Sequence, residues 1–113
     1  MNENAVIVNG IEYTPRRNMS DKYYIVRTYS AGVFFGEITK REGQEVVMKN
    51  ARRIWYWTGA ASLSQLAMEG TSSPATCKFP CVVDEVILTQ VIEIIPCTEK
   101  AIQNINKVPI WKQ

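Results

Sequence analysis

The order of hydrophobic and polar residues predicts β-strands over most of the chain. Residues 5–14 (AVIVNGIEYT) consist of two short apolar runs on either side of Asn9 and Gly10. Both central residues tolerate positive φ, so this segment predicts a β-hairpin closed by a type I′ turn. Pro15 ends its second strand, and residues 16–21 are polar enough to form a linker.

The stretch that follows predicts an antiparallel meander of three strands. Residues 23–30, 33–40 and 45–57 are rich in aromatic and β-branched side chains, and short turn sequences separate them. Gly36 interrupts the second of these strands and predicts a bulge. Residues 82–95 form a further β-branched segment, long enough for one bent strand.

Two short helices are predicted in the second half of the chain. Ser62 and Gln65 have the spacing of a capping box, and Gly70 suits the carboxyl end of that helix. Thr98 can cap a second helix, which must end before Pro109. The positions expected to face the core are Leu63, Leu66, Ala67, Ala101, Ile102 and Ile105.

Together these elements predict an α+β fold. We expect a mainly antiparallel β-sheet of five or six strands, one or two short helices, and the N-terminal β-hairpin. We assign the hairpin and linker to residues 1–21 and a single ligand-binding domain to residues 22–113. No apolar run approaches the length of a bilayer span and no signal-peptide pattern begins the chain, so we expect a cytoplasmic protein without membrane contact.

The absence of histidine narrows the possible chemistry. Histidine is the usual general base near neutral pH and the commonest metal ligand. Cys77 and Cys81 are four residues apart, but with Cys97 they provide only three of the four ligands of a closed zinc site. We therefore expect a binding protein rather than an enzyme, with no catalytic residues, no metal and no cofactor.

Residues 49–57 (KNARRIWYW) carry the candidate binding chemistry. Arginine presents a planar set of donors that matches phosphate oxygens, and tryptophan offers a flat face on which a base can stack. Alternation along a strand places Arg53, Trp55 and Trp57 on one side and Arg52 on the other. In the alternative interpretation, the aromatic residues belong to the core and the arginines are solvated charges.

Three residues elsewhere could extend or modify such a site. Arg27 lies on an earlier strand, and Glu93 either pairs with an arginine across the sheet or points to solvent. Phe79 lies in a loop, where it could form a ligand platform or cover the edge of the core. The net charge of +2 is too small to indicate a polymeric nucleic acid as partner.

Several sequence blocks resemble a known family. The blocks are YYIVRTYSAGVFFGEI, KNARRIWYWTGAASLSQLA, VILTQVIEIIPCTEKA and the closing KVPIW. Over residues 22–112 they resemble small phage proteins of the type 1 Thoeris anti-defence family. The resemblance implies a protein that sequesters a cyclic ADP-ribose immune signal without cleaving it, in the cytoplasm of an infected bacterial host.

The resemblance also implies an assembly and a pocket. It implies a homo-oligomer, a dimer or a higher assembly such as a hexamer, with a small cyclic nucleotide as ligand and, in some members, separate sites for cyclic oligonucleotides. Arg52 or Arg53 would bind the pyrophosphate, an aromatic wall would hold the adenine, and polar residues of the last helix would close the pocket. The candidate ligand-binding residues are Arg27, Arg52, Arg53, Trp55, Phe79, Asn106 and Lys107. The competing hypothesis is a phage structural or regulatory protein that binds other proteins.

Overall fold

The structure is a computed structural model that describes the backbone of residues 6–8, 11–13 and 19–113, and side chains from residue 22 onward. In this part of the chain no helix is long and apolar enough to cross a bilayer. The elements are β1 Val6–Val8, β2 Ile11–Tyr13, β3 Met19–Thr28, β4 Val33–Glu42, β5 Glu45–Ile54, α1 Leu63–Glu69, a 3₁₀ turn Pro74–Thr76, β6 Val82–Leu88, β7 Val91–Thr98 and α2 Glu99–Asn106.

The N-terminal strands β1 and β2 pair with each other as antiparallel partners. The predicted type I′ turn at residues 9–10 lies outside the described residues, and so do residues 14–18. β3 begins at Met19, inside the segment that the sequence analysis assigns to a linker, and Met19 pairs with Thr98 of β7.

The other five strands form one antiparallel sheet in the order β6-β5-β4-β3-β7, which confirms the predicted α+β class. The prediction of one bent strand over residues 82–95 is wrong. This segment forms β6 and β7, which lie on opposite edges of the sheet. The turn between β6 and β7 is fixed by a hydrogen bond to a distant part of the chain: the Tyr29 N–H donates to the Gln90 carbonyl oxygen at 2.9 Å. A β-branched composition favours strands but does not show where such a bond divides them.

The short link between β6 and β7 forces the sheet to roll. Neighbouring strands lie about 4.8 Å apart, so the outer strands of a flat five-stranded sheet would be roughly 19 Å apart. The three Cα steps from Leu88 to Val91 span at most about 11 Å. The two edges therefore approach each other at this end, where the Val91 N–H donates to the Gln44 carbonyl oxygen at 3.0 Å.

The rolled sheet has a core on each face. Successive residues of a strand point to opposite faces, so Val26 and Phe34 enter one core while Ile25 and Phe35 enter the other. Every strand of the sheet contributes to the inner core, whose buried members are Val26, Phe34, Val46, Met48, Ala51, Leu88 and Val91. The opposite face packs against α1 and α2 and forms the helix-side core.

The predicted caps are present at both helices. The Ser62 hydroxyl accepts a hydrogen bond from the Gln65 N–H at 3.3 Å, and the Gln65 side chain accepts one from the preceding loop at 2.7 Å. Thr98 accepts from the Ala101 N–H at 3.1 Å and donates to the Met68 carbonyl oxygen at 2.6 Å. Of the predicted core positions, Leu63 is half-buried and the others are buried: Leu66, Ala67, Ala101, Ile102 and Ile105.

Candidate ligand-binding site

The sequence predicts a bulge at Gly36 in β4, but the extra residue lies in the partner strand β5, opposite Gly36. The register between β4 and β5 shifts between Phe35 and Glu37, so two residues of β5 face Gly36. One of these two residues, Asn50, has a positive φ of 51°. A Cβ at Gly36 would collide with the β5 backbone, so only glycine allows this close approach.

The bulge decides which face each of the two adjacent arginines occupies. Regular alternation from Met48 would put Arg52 on the inner face of the sheet. The extra residue shifts the alternation by one position, so Ala51 joins Met48 in the inner core. Arg53 follows on that side, where its Cζ lies 4.4 Å from the centroid of the Phe34 ring. Arg52 consequently faces the helix-side core.

Arg52 is an interior residue, only 2% exposed. Its Nε donates to the Pro80 carbonyl oxygen and its Nη1 to that of Ile105, both at 2.9 Å. Burial lowers its pKa through desolvation. The prediction that Arg52 binds phosphate is therefore corrected, since its donors already hold the main chain of two distant segments together. The further acceptors, all within 3.0 Å of Nη2, are the carbonyl oxygens of Phe79, Val108 and Pro109.

Phe79 is also an interior residue. Its side chain is fully buried in the helix-side core, with its ring centroid 5.5 Å from Cζ of Arg52. Its carbonyl oxygen accepts a hydrogen bond from the Trp111 N–H at 3.0 Å. The prediction of Phe79 as a ligand wall is therefore corrected. The alternative prediction for Phe79 is an aromatic residue that covers the edge of the core, and this agrees better with its position in the structure.

Arg53 differs from Arg52 because most of its donors are uncommitted. Its side chain is half-buried, and Nη1 donates to the Ala31 carbonyl oxygen at 2.6 Å. A guanidinium group has five N–H donors. The other donors of Arg53 have no hydrogen-bond partner in the part of the chain that the structure describes. They can therefore bind a phosphate without breaking an existing bond.

Arg53 lines an open depression of about 410 Å³ at the end of the sheet. The lining residues are those at 30–33 together with Arg53, Ile54, Trp55 and Trp57. The Trp55 side chain is 64% exposed, whereas Trp57 is half-buried and its Nε1 donates to the Ala60 carbonyl oxygen at 3.2 Å. We call this depression the arginine–tryptophan site. Arg53, Trp55 and Trp57, which strand alternation predicts on one side, all line it. The sequence predicts a strand that runs to Trp57, but β5 ends at Ile54, and Ile54 lines the depression as well.

The loop between β3 and β4 forms the opposite wall of this site. The Thr28 hydroxyl donates to the Gly32 carbonyl oxygen and accepts from the Ala31 N–H, both at 2.8 Å. These bonds hold the Ala31 carbonyl oxygen where Arg53 can reach it. The sequence predicts only a turn here, because the position of the loop beside Arg53 depends on the pairing of β4 with β5.

Besides Arg52 and Phe79, three further predicted site residues are not among those that line the depression. Arg27 lies opposite Val33 in the sheet, but its Nε is bonded to the Glu93 carboxylate at 2.9 Å. Glu93 thus pairs across the sheet, which was one of its two predicted roles. Asn106 and Lys107 are exposed at the end of α2, outside the set of residues that line the arginine–tryptophan site.

The three cysteines occupy different environments. Cys77 and Cys97 are buried and Cys81 is exposed, and all three are free thiols. Burial raises the pKa of the Cys97 thiol to about 12. In the described residues no group of three or more histidine, cysteine, aspartate or glutamate side chains could hold a metal ion.

These features define the class of the protein. It is a small α+β protein whose rolled antiparallel sheet carries an arginine–tryptophan depression beside one open end. Residues 21–105 match the model of a family described as a domain of unknown function (DUF6948), and the chain belongs to that family. No curated protein and no solved structure matches it significantly.

Proposed function

We propose that this protein binds a phosphate-bearing nucleotide at the arginine–tryptophan site and holds it without cleavage. The observation that carries the proposal is the pairing of an uncommitted guanidinium group, that of Arg53, with the exposed indole of Trp55 in one depression. A charge-assisted bond to phosphate and a stacked base are the two contacts that nucleotides commonly receive from proteins. The site volume of about 410 Å³ lies within the range of small-molecule pockets.

The particular ligand follows from the sequence resemblance. We infer that it is a cyclic ADP-ribose immune signal, and that the protein acts as a sponge for it in the cytoplasm of an infected bacterial host. Cyclic oligonucleotides would occupy a separate site in an assembly of several copies. Binding in this role must be tight, but it needs no activated water and no general base.

The chain composition supports capture rather than catalysis. Hydrolysis of a pyrophosphate or an N-glycosidic bond requires an activated water molecule. The chain has no histidine to provide the usual general base. Binding energy that is equal for substrate and transition state does not accelerate a reaction. The ligand should therefore leave the protein chemically intact.

The proposal is tested by titrating cyclic ADP-ribose into the protein in a calorimeter. Arg53→Ala should weaken binding roughly ten- to hundredfold, because it removes a charge-assisted hydrogen bond. Arg41→Ala is the matched control, since Arg41 is an exposed arginine on the distant β4–β5 hairpin. Equal affinities in the two variants would remove Arg53 from the site.

The fate of the ligand is followed in the same samples. After hours of incubation with excess cyclic ADP-ribose, heating should release one unchanged cyclic molecule for each occupied site. Repeated turnover to a linear product would contradict the proposal. Binding should weaken only mildly as salt rises, because a small diphosphate releases few counterions, unlike a nucleic-acid polymer.

A protein-binding role is the second candidate, and edge strand β6 favours it. Val82, Val83 and Ile87 of this strand are exposed, and an apolar strand edge can pair with another chain. This candidate predicts no heat of binding with cyclic ADP-ribose. It also predicts that Ile87→Lys, and not Arg53→Ala, removes the benefit that the protein gives to phage growth in infected bacteria.

A further inference from the structure

Arg53 also lines a second depression, of about 230 Å³. Its walls come from β4, β5, β6 and the residues just before β6, and they include Phe34, Cys81 and Val83. Glu85 adds one carboxylate group to the lining. We call this depression the β6 slot. It is smaller than typical pockets for a whole ligand, which begin at about 300 Å³, so it is poorly suited to act alone.

The Arg53 side chain belongs to both depressions. Its Nη1 is bonded to the carbonyl oxygen of Ala31, which lines the arginine–tryptophan site. Its Cζ lies 4.4 Å from the ring centroid of Phe34, which lines the β6 slot. The Arg53 side chain therefore borders both spaces.

We propose that a single ligand occupies both depressions, with its phosphates on Arg53, one base against Trp55, and a second sugar or base in the β6 slot. This inference rests on the proposed function and adds the site for the other half of the ligand. The ligand class is a nucleotide in which a second sugar is joined to a nucleoside through phosphate, as the second ribose is in cyclic ADP-ribose.

The chemistry of the β6 slot fits a neutral, hydroxyl-bearing group. Apolar walls such as Val83 and Val86 suit the flat or carbon-rich face of a sugar or base. The Glu85 carboxylate can accept hydrogen bonds from hydroxyl or amino groups, but it repels phosphate. The phosphates are therefore directed to Arg53, and the uncharged part of the ligand to the slot.

Cys81 provides a direct reporter for the slot. It is exposed and lines the slot, whereas Cys77 and Cys97 are buried. Alkylation requires an accessible thiolate. Iodoacetamide should therefore react first at Cys81, and mass spectrometry of the alkylated protein will measure how well a bound molecule covers the slot.

The experiment compares two probes, AMP and cyclic ADP-ribose, on the full chain. AMP can fill only the arginine–tryptophan site, so saturating AMP should leave the alkylation rate of Cys81 unchanged. Saturating cyclic ADP-ribose should slow alkylation by roughly tenfold or more, because its second half covers the thiol.

Two tryptophan substitutions on β6 complete the design. Val83→Trp fills the slot and should weaken cyclic ADP-ribose binding about tenfold while leaving AMP binding unchanged. Val82→Trp is the matched control, since neighbouring residues of a strand point to opposite faces and Val82 does not line the slot. It should bind both probes like the unmodified protein.

The outcomes separate this inference from the proposed function. If cyclic ADP-ribose binds, but Cys81 stays fully reactive and Val83→Trp binds as tightly as Val82→Trp, the two-part site is overturned and the proposed function stands. If neither probe gives a heat of binding, the proposed function fails and the two-part site fails with it. Protection of Cys81 together with a selective loss in Val83→Trp supports both.

Discussion

Arg52 donates through all three of its nitrogens to main-chain carbonyl oxygens, whereas Arg53 makes one such bond and borders open space. The two residues are neighbours on β5, so their side chains point to opposite faces of the sheet. A buried guanidinium group is tolerated only where its donors are bonded. At the residue scale, Arg52 is therefore structural, and Arg53 is the arginine that can bind a ligand.

Arg52→Ala should lower the free energy of unfolding by about 3 kcal/mol or more, because several buried carbonyl oxygens lose their donor. Arg52→Lys should recover only part of this loss, since an ammonium group lacks the planar set of donors. Urea unfolding measures both variants. Arg41→Ala is the exposed control and should stay within about 0.5 kcal/mol of the unmodified protein. Equal stability of Arg52→Ala and the control would contradict the structural role.

Cys97 makes the stability of the protein sensitive to alkaline pH. Burial raises the pKa of its thiol from 9.0 to about 12, so the folded protein holds this proton more tightly than the unfolded chain. The resulting stabilisation is complete below pH 9 and is lost as the pH rises from 9 to about 12. In that window, this one thiol should reduce the free energy of unfolding by up to about 1.4 kcal/mol per pH unit.

The test of this pH dependence is urea unfolding at several alkaline pH values. Cys97→Ala should show a shallower fall of stability with pH, because the perturbed thiol is gone. Cys81→Ala removes an exposed thiol and should keep the slope of the unmodified protein. Indistinguishable slopes for the two variants would rule out the Cys97 contribution.

At the scale of elements, α1 and α2 are joined where α1 ends. The Asn104 side chain of α2 accepts from the Thr71 N–H at 2.8 Å and donates to the Thr71 carbonyl oxygen at 2.9 Å. The chain reaches this position through Gly70, which has φ 79° and ψ −160°, a conformation open almost only to glycine. A single residue thus ends one helix and brings the chain to the other.

Gly70→Ala should destabilise the protein by about 3 kcal/mol, since the added Cβ would overlap the Asn104 side chain in a backbone conformation that is already strained. Gly43→Ala is the matched control. Gly43 also has positive φ, but a Cβ there would meet no atom within 4 Å, so we expect a loss of only about 1 kcal/mol. Thermal unfolding distinguishes the two, and losses of equal size would show that the Asn104 contact does not matter.

At the scale of the whole molecule, the rolled sheet encloses the inner core and packs its opposite face against the helices, but it leaves other apolar side chains exposed. The helices cover only the helix-side core, and β6 remains an edge strand with exposed side chains. Among the described side chains, the large hydrophobic residues left exposed are Tyr29, Trp55, Tyr56, Met68, Val82, Val83, Ile87, Ile92 and Ile110. Three of them, Val82, Val83 and Ile87, lie on edge strand β6, and an exposed apolar edge strand can pair with another chain.

We expect the protein to form a homo-oligomer in solution, built from a symmetric dimer. A symmetric dimer is the commonest closed assembly, and it would bury the same exposed apolar surface of both copies. Light scattering at micromolar concentration should give the mass of a dimer or a larger assembly. Ile87→Lys, which puts a charge on the exposed edge strand β6, should shift the mass towards the monomer. Met68→Lys on the exposed side of α1 is the control. A monomeric mass for the unmodified protein would contradict this expectation.

The sequence by itself determined those features that depend on neighbouring residues in the chain. Runs of β-branched residues mark the meander strands, and a hydroxyl three residues before a helical N–H marks each cap, as at Ser62 and Thr98. These features are local because hydrogen-bond geometry and backbone dihedral angles act over a few residues. Strand alternation beyond Arg53 is not among them: β5 ends at Ile54, so alternation does not explain why Trp55 lines the same depression as Arg53.

Only the tertiary structure decided which of the candidate residues are buried and which border open space. The division of residues 82–95 into two strands depends on bonds to the β3–β4 loop and the β4–β5 hairpin, far away in the chain. The burial of Arg52 and Phe79 depends on the α2 segment that closes over them. Local sequence cannot supply these outcomes, because the face that a side chain shows to water depends on which distant segments pack against it.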